Sequence, residues 1–262
     1  MAKPRPDYHP PAPGAFSPPT GDLPDYFRGA DAVAGFGTRD FYVAWIPRRQ
    51  ACEMIIANHY SGRIVQNAYV HLGVFLGGDL VGALQFGHAM VPRATAKIVA
   101  GSTTGTYLEL NRMWLSDLAP RNSESRAIAY AVRYIRRVCP RVRWIMTFAD
   151  ERLGRWGVVY QAANFLYVGS HKCRFWVLDG ETYHDMLLTA HGPNCSPRGR
   201  HLRDNLHRAT RHEYRQFRYV LPLHPAARRG LLLKPRPYPK PPGHAQAGLE
   251  PSSKPGRRRA AY

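Results

Sequence analysis

The chain has 262 residues, 44% of them hydrophobic, which is enough for one large domain, or for one domain with tails. It carries 37 Lys and Arg against 18 Asp and Glu, and this formal net charge of +19 is extreme for an enzyme of small metabolites. No apolar run approaches the roughly 18 residues of a membrane span, and the four cysteines form no CxxC pair. We therefore expect a cytoplasmic protein without a membrane partner, a zinc knuckle or a disulfide framework.

The positive charge is concentrated toward the C-terminus. Residues 197–262 carry 16 Lys and Arg against 3 Asp and Glu. A membrane surface would require an amphipathic basic helix with a clean apolar face, and none accompanies this excess. The distribution favours a polyanion such as DNA or RNA as the partner. The alternative is a solvated basic tail without a specific partner.

The first third of the chain predicts an arm followed by mixed secondary structure. Residues 1–38 begin with many prolines and little to bury, so we expect a flexible arm. Phe41–Ile46 predicts a strand, and Pro47 opens a helix that runs to Asn58, before His59-Tyr60-Ser61-Gly62. Further elements predicted before residue 105 are a β-hairpin of two strands, 68–76 and 80–86, around Gly77-Gly78-Asp79, and a short helix at 94–100.

The stretch from Tyr107 to Ala127 predicts a strand that leads into a helix. The strand breaks at 117–120, and a helix is expected from about Ser123 to Val138, with Asn122 or Ser123 as its cap. A strand that delivers into a helix N-terminus leaves free backbone N–H groups that suit a phosphate. The alternative is an ordinary strand-to-helix turn.

The second half predicts further alternation of strands and helices, and then a basic segment. The predicted elements are a strand at 142–148, a helix at about 157–164, one or two strands at 165–178, a basic helix at 200–215, a short strand at 216–221 and a tail at 235–262. Such alternation predicts an α/β fold with one sheet of mixed direction. We divide the chain into an arm at 1–38, a catalytic core at 39–190, a basic extension at 191–240 that closes the core and contacts DNA, and a flexible basic tail at 241–262.

Three segments together carry a family resemblance. They are His59-Tyr60-Ser61-Gly62, then 109–113 (ELNRM) with 121–125 (RNSES), and 148–150 (FAD) with 159–165 (VYQAANF). The combination resembles the Mom family of phage DNA-modification proteins over roughly residues 40–240. That family is similar in fold to the GNAT acyltransferases, which implies a mixed sheet of six or seven strands flanked by helices.

The resemblance implies an activity on DNA. Mom proteins convert N6 of adenine in double-stranded DNA to a methylcarbamoyl-type adenine, which protects phage DNA from host restriction. Double-stranded DNA would then be the partner in the bacterial host cytoplasm, with acetyl-CoA or a related acyl donor as the second substrate. A methylcarbamoyl group has a nitrogen between methyl and carbonyl, so plain acetyl transfer does not produce it, and a redox metal such as iron is implied.

Five residues are candidate catalytic groups. They are His59, Tyr60, Ser125, Asp150 and Tyr160. His59 could act as a general base or a metal ligand, or it could be a histidine satisfied by the end of its helix. Asp150 could bind metal, orient His59 or accept the N6 proton, or cap the next helix. Tyr160 corresponds to the GNAT tyrosine that reprotonates a leaving thiolate, although an i, i+4 contact with Asn164 is the structural alternative.

The candidate donor-binding residues surround the turn before the long helix. They are Arg112, Arg121, Asn122, Ser123, Ser125 and Asn164. In the coenzyme A turn of the GNAT fold a glycine would stand where this chain has Glu124, and a carboxylate there repels phosphate. His59 and Asp150 are also the candidate ligands of the implied metal. Since Glu109 and Arg112 are three residues apart on a strand, we expect them on opposite faces and not as a pair.

Two other functions fit the same residues. One is an ordinary GNAT N-acyltransferase that uses acetyl-CoA, on an amine or on nucleic acid including RNA. The other is a non-catalytic basic DNA-binding protein. The oligomeric state is left open, with a dimer among the options.

Overall fold

The computed structural model describes residues 33–189 and 195–241. Its strands are β1 Gly35–Gly37, β2 Phe41–Trp45, β3 Ala68–Leu76, β4 Asp79–Gly87, β5 Tyr107–Leu115, β6 Trp144–Asp150, β7 Leu166–Leu178, β8 Glu181–His184 and β9 Thr210–Pro222. Its helices are α1 Arg48–Asn58, α2 Pro92–Ala96, α3 Ser123–Val138, α4 Val158–Ala162, α5 Pro197–Asp204 and α6 Pro225–Arg229.

The described strands form one sheet of mixed direction in the order β1-β2-β3-β4-β5-β6-β9-β7-β8. Strands β5 and β6 pair in parallel, and the other neighbours pair antiparallel. The predicted α/β class, a mixed sheet flanked by helices, is confirmed. The sheet has nine strands, more than the six or seven expected; β1 and β8 form its two edges, and β9 lies between β6 and β7.

Helices cover both faces of the sheet. Helix α3 packs its apolar stripe against one face, where Ile128, Ala131 and Ile135 join a buried cluster with Leu108 and Ile145. On the other face Ala51 and Ile55 of α1 form a separate cluster with residues of β2, β3 and β4. Helix α4 lies beside α3 on the first face. The burial of α3 follows its sequence, because its apolar residues recur at helical spacing while Arg133, Arg136 and Arg137 are exposed.

Strand β9 corrects the prediction of a basic helix at 200–215. The helix in that region, α5, ends at Asp204, and residues from Thr210 onward pair with β7 along most of their length. Exposed Arg211, Glu213 and Arg215 alternate with half-buried His212 and Tyr214. This alternation with a period of two is typical of a strand. Because both faces of the strand carry polar residues, the sequence shows no alternation of apolar and polar residues here.

The ends of the predicted domains fall partly outside the described residues. Residues 1–32, most of the predicted arm, and 242–262, nearly all of the predicted tail, are among those not described. Within the predicted arm, Gly35–Gly37 form edge strand β1, which pairs with β2. The core therefore begins a few residues earlier than 39. Among the described helices, none combines the length and the hydropathy needed to span a bilayer.

The parallel pair in the middle of the sheet opens toward its carboxyl end. β5 and β6 are in register only at Tyr107, Leu108 and Glu109, opposite Trp144, Ile145 and Met146. Beyond these three pairs, the Thr147 hydroxyl donates to the Leu110 carbonyl at 3.3 Å. The strands therefore separate and leave a gap between residues 110–115 of β5 and 147–150 of β6, which we call the central gap.

Candidate active site

The central gap gathers several of the side chains singled out from the sequence. His59 and Tyr60 reach it from the end of α1, and Arg112 reaches it from β5. After burial, the charges of Arg112 and Arg155 lower the pKa of His59, and the charge of Asp150 raises the pKa of Tyr60. Tyr60 in turn contributes to the raised pKa of Tyr160, whose main cause is burial. Residues separated by about a hundred positions in the chain thus share one electrostatic environment.

His59 and Tyr60 form one aromatic unit at the end of α1. Their ring centroids lie 4.2 Å apart, and the guanidinium carbon of Arg155 lies 5.1 Å from the centre of the Tyr60 ring. His59 is 9% exposed and Tyr60 is 49% exposed. Tyr60 is therefore the more accessible member of the pair. Gly62 adopts a left-handed conformation, with φ of 55°, and turns the chain after this unit.

The His59 imidazole is held neutral. Burial, followed by the positive charges of Arg112 and Arg155, lowers its pKa to about 4. The backbone N–H of Ser61 donates to its Nδ1 at 3.2 Å, and the Ser61 hydroxyl lies 2.8 Å from the same atom. Because Nδ1 accepts a hydrogen bond, the single proton of the neutral ring is on Nε2. This tautomer presents a hydrogen-bond donor to the gap.

Glu109 and Arg112 lie on the same side of β5, which corrects the prediction that they face opposite ways. The pairing of β4 with β5 shifts register between Gln85 and Phe86, so Asn111 is an extra residue in β5. A β-bulge of this kind reverses the side-chain alternation. The Arg112 guanidinium is consequently near enough to Glu109 for the two charges to interact. Burial lowers the pKa of Arg112, and the charge of Glu109 acts against this effect.

Glu109 titrates near neutrality. Burial raises the pKa of its carboxyl to about 7, against the opposing effects of a hydrogen bond with Asn111 and the charge of Arg112. Arg112 also donates from Nε to the carbonyl of Arg63 at 3.0 Å, which ties the loop after Tyr60 to β5. Arg112 therefore both positions that loop and supplies positive charge to the gap.

Asp150 is the last residue of β6, where the prediction had placed it just past the strand. Its Oδ1 accepts from the backbone N–H of Arg152 at 3.0 Å and so caps the short 3-10 turn at 151–153. Its Oδ2 lies 3.6 Å from Nε of Arg152. The carboxylate also raises the pKa of the Tyr60 hydroxyl, after the larger effect of partial burial. The cap predicted as an alternative is thus present, and the group still faces the gap.

Tyr160 reaches the gap from the opposite face of the sheet. Burial is the main cause that raises the pKa of its hydroxyl, and a hydrogen bond with Thr147 acts against it. The predicted i, i+4 contact with Asn164 is wrong, because α4 ends at Ala162. Asn164 is instead an exposed residue in the left-handed region, with φ of 63°, immediately after the helix.

Gly157 allows α4 to approach the sheet. Its φ is 75°, and a Cβ at this position would lie 2.4 to 2.8 Å from the ring of Tyr219. The Tyr219 hydroxyl in turn donates to the Trp156 carbonyl at 2.5 Å and accepts from Gln161 at 3.1 Å. Tyr160 is therefore positioned by a tightly packed turn around Tyr219.

The turn before α3 lies at the same end of the sheet as the gap, since it follows the carboxyl end of β5. Asn122 occupies the cap position with a left-handed φ of 68° but makes no side-chain cap, so the predicted capping bond is wrong for this residue. Ser123 is completely buried, and among the described residues its hydroxyl has no partner. Ser125 donates to the Asn122 carbonyl at 3.1 Å, and Arg121 is exposed.

The predicted metal site does not fit the described residues. They contain no group of three or more His, Cys, Asp and Glu that could hold an ion. The Nδ1 of His59 already accepts from Ser61, and Nε2 carries the proton, so neither nitrogen offers a free lone pair. His59 and Asp150 therefore do not form the pair of ligands expected for iron.

Two residues of the gap were missed by sequence reasoning. Thr147 was treated as part of an apolar strand, and Arg155 as part of a connector. A hydroxyl in the middle of the otherwise apolar run WIMTFA was the available signal for Thr147, because cores seldom hold an unpaired hydroxyl. Nothing local distinguishes Arg155 from the many other arginines of the chain.

The chain is similar in sequence to a known protein family. The model of the Mom protein family matches residues 40–240. Methylcarbamoylase mom of Escherichia phage Mu is 48% identical over 211 residues, which cover 79% of this chain and 87% of the relative.

Solved structures that resemble the chain include several acetyltransferases. RimL, a ribosomal L7/L12 alpha-N-protein acetyltransferase, aligns with a TM-score of 0.40 at 11% identity, covering 71% of this chain and 95% of its own. The structure of yncA from Salmonella typhimurium, solved with acetyl-CoA, aligns with a TM-score of 0.43 at 8% identity, with the same two coverages. An acetyltransferase of the GNAT family from Streptococcus pneumoniae has a TM-score of 0.41 at 9% identity, covering 71% of this chain and all of its own.

Proposed function

We propose that this chain, which belongs to the Mom protein family, is a phage DNA-modification enzyme that attaches a methylcarbamoyl-type group to N6 of adenine in double-stranded DNA. The observation that carries the proposal is its 48% identity, over most of both chains, to the methylcarbamoylase of phage Mu. The product would protect the DNA from host restriction. The side chains of the central gap support this assignment, because they include groups suited to both proton transfers that such a reaction needs.

The transfer step requires a base on one side of the reacting carbon and an acid on the other. The N6 nitrogen forms a bond to the carbonyl carbon of the donor and loses one proton, while the bond from that carbon to the leaving group breaks. The leaving group then takes up a proton. These changes balance for any donor that carries the group on a protonatable leaving atom.

Glu109 is the proposed base. A carboxyl with a pKa of about 7 is half ionised at neutral pH, which matches the operating range of a general base. Asp150 is the runner-up, since it faces the same gap, but its oxygens are engaged by Arg152. The predicted base, His59, is less suited because its exposed nitrogen bears the proton.

His59 and Arg112 are proposed to stabilise the oxyanion. As the N6–carbon bond forms, negative charge develops on the carbonyl oxygen. A neutral Nε2–H donor and a half-buried guanidinium on the same side of the gap would stabilise this charge, a type of contribution worth a few kcal/mol for each donor. Tyr60 would then lie against the adenine, since its half-exposed ring offers a stacking surface.

Tyr160 is the proposed acid for the leaving group. Its raised pKa keeps the hydroxyl protonated at neutral pH, and the hydroxyl reaches the gap from the face opposite Glu109. The donor would be of the coenzyme A type and would already carry the methylcarbamoyl group on its sulfur, because an acetyl group would give only acetyladenine. It would bind through the turn before α3. The unpartnered, buried hydroxyl of Ser123 supports a phosphate there, with exposed Arg121 in the same turn.

Mass spectrometry of nucleosides tests the proposal. DNA from bacteria that express the full chain should contain an adenosine with the added mass of a methylcarbamoyl group, and DNA from bacteria that express Glu109→Gln should contain far less. An adenosine with only an acetyl group would replace the proposal by ordinary N-acyltransfer. Unmodified adenosine in DNA with full expression would contradict both.

A further inference from the structure

The positive charge of the described residues is distributed unevenly between the two ends of the sheet. Three acids surround the central gap, which are Glu109, Asp150 and Glu151. The other described acids are Asp40, Glu53, Asp79, Asp117, Glu124, Asp179, Glu181, Asp185, Asp204 and Glu213. Each of these acids lies in one of three places: at the same end of the sheet as the gap, on α1, or at an edge of the sheet, in the β1–β2 hairpin, the β7–β8 hairpin or α5.

The opposite end of the sheet carries arginines without any described acid. Residues 125–149 and 217–241 contain no Asp or Glu. They supply six exposed arginines from the end of α3, the loop before β6 and helix α6, which we call the basic end: Arg136, Arg137, Arg141, Arg143, Arg228 and Arg229.

The fold holds these three segments against one another. Arg136 donates to the Leu223 carbonyl at 3.2 Å, and the backbone N–H of Leu223 donates to the Arg143 carbonyl at 2.8 Å. Arg141, Arg143 and His224 line a cavity of about 460 Å³ between them. The basic end is thus one surface and not a set of scattered charges.

A structural role accounts for only part of this surface. Arg136 and Arg137 occupy the last turn of α3, where positive charge stabilises a helix terminus, and Arg136 also makes the bond to Leu223. The side chains of Arg141, Arg143, Arg228 and Arg229 make no hydrogen bond or ion pair within residues 33–189 and 195–241. Four unneutralised guanidiniums on one exposed surface repel one another, and such an arrangement favours a polyanion.

The lysine and arginines near β7 and β8, at one edge of the sheet, are by contrast paired with acids. Arg198 pairs with Glu181, Arg208 with Asp179, Arg174 with Asp185 and Lys172 with Glu213. Four cations near β7 and β8 are therefore neutralised by acids within the described residues, whereas Arg228 and Arg229, which belong to the predicted basic extension at 191–240, are not.

We propose that the basic end is a second contact surface for duplex DNA, which binds the phosphates of the DNA that flanks the target adenine. The proposal rests on the proposed function, because it takes the substrate to be duplex DNA. The basic end lies at the start of β6 and the gap at its finish, so the two are separated by roughly 20 Å, the length of six strand steps. A duplex must therefore extend well beyond the target base pair to reach both.

Binding to duplexes of two lengths tests the proposal. A duplex of about 8 base pairs centred on the adenine extends about 14 Å to each side and falls short of the basic end, whereas one of about 30 base pairs reaches it. The variant replaces Arg141, Arg143, Arg228 and Arg229 by Gln. The matched control replaces Lys172, Arg174, Arg198 and Arg208 by Gln, and so removes the same formal charge from paired positions. Thermal melting confirms that both variants fold.

The measured quantity is the slope of log K against log salt concentration. Each lost phosphate contact reduces the magnitude of that slope by about 0.9. For the variant with the four basic-end arginines replaced, the slope should therefore be smaller by about 3 to 4 on the long duplex and unchanged on the short one. The control should change by less than about 1 on either. An unchanged slope on the long duplex, or an equal loss on both lengths, would overturn the proposal.

A further outcome is a loss of affinity for an RNA hairpin with unchanged affinity for duplex DNA. That result would also overturn the proposal and assign the surface to RNA. Because binding is measured without any donor, a failure here is distinguishable from a failure of the proposed function, which the nucleoside analysis reports independently.

Discussion

Replacing Glu109 by Gln should stabilise the protein at neutral pH while it abolishes the proposed base. The folded-state pKa of this carboxyl is about 7, against an ordinary value of 4.5. A raised pKa means that the folded protein binds the proton more tightly than the unfolded chain does. Stability associated with this group is therefore complete below about pH 4.5 and is lost progressively as the pH rises to 7. The difference of 2.5 pKa units corresponds to about 3 kcal/mol, an upper value for a group this close to Arg112.

Urea denaturation of the wild type and of Glu109→Gln measures this directly. At pH 4 the two proteins should have similar free energies of unfolding, because both carry a neutral side chain of the same shape. At pH 8 the variant should be more stable by about 2 to 3 kcal/mol, and its yield of modified adenosine should fall by at least about 100-fold. The titration of His59 affects the free energy of unfolding of both proteins equally, so it does not contribute to the difference between them. A difference in stability that stays constant from pH 4 to pH 8 would refute the assigned environment of Glu109.

Two further predictions concern α4. Tyr160→Phe should lower the rate of modification by about 100-fold to 10,000-fold while it changes the free energy of unfolding by only about 1 kcal/mol, the value of one hydrogen bond. Single-turnover kinetics and urea denaturation measure these quantities, and Tyr130→Phe on α3 is the control; equal rates in the two variants would count against an acid role. Gly157→Ala should lower the free energy of unfolding by more than about 2 kcal/mol, because the new Cβ would overlap the ring of Tyr219 in a backbone conformation that favours glycine. An unchanged melting curve would contradict this account of the turn.

Much of the fold could be predicted because its elements have strong local signals. Helix α3 begins and ends at the predicted residues, Ser123 and Val138, since its apolar stripe and its flanking turns agree. The hairpin of β3 and β4 was equally accessible, because Gly77 and Gly78 supply the two left-handed residues that a tight turn requires. In both cases the information lies within a few residues of the element that it specifies.

The parts that were missed depend on partners distant in the chain. The bulge at Asn111 is set by the pairing of β5 with β4, and no local pattern announces it, so Glu109 and Arg112 were placed on opposite faces. Strand β9 is stabilised by β6 and β7 on its two sides, and this tertiary pairing overrides the helical propensity of its arginines. Several side chains named for the site lie at the central gap, but their relative positions depend on these long-range contacts.

The central gap explains how groups from two faces of a sheet can act on one atom. In a continuous sheet Glu109 and Tyr160 would be separated by the backbone layer and by its hydrogen bonds. Here the Leu110 carbonyl accepts from the side chain of Thr147, so the parallel ladder stops after three pairs. The charge of Glu109 consequently contributes to the raised pKa of the Tyr160 hydroxyl through the opening, after the larger effect of burial. An acid and a base on opposite sides of one reacting carbon is the arrangement that group transfer between two substrates requires, because the nucleophile approaches that carbon from one side and the leaving group departs on another.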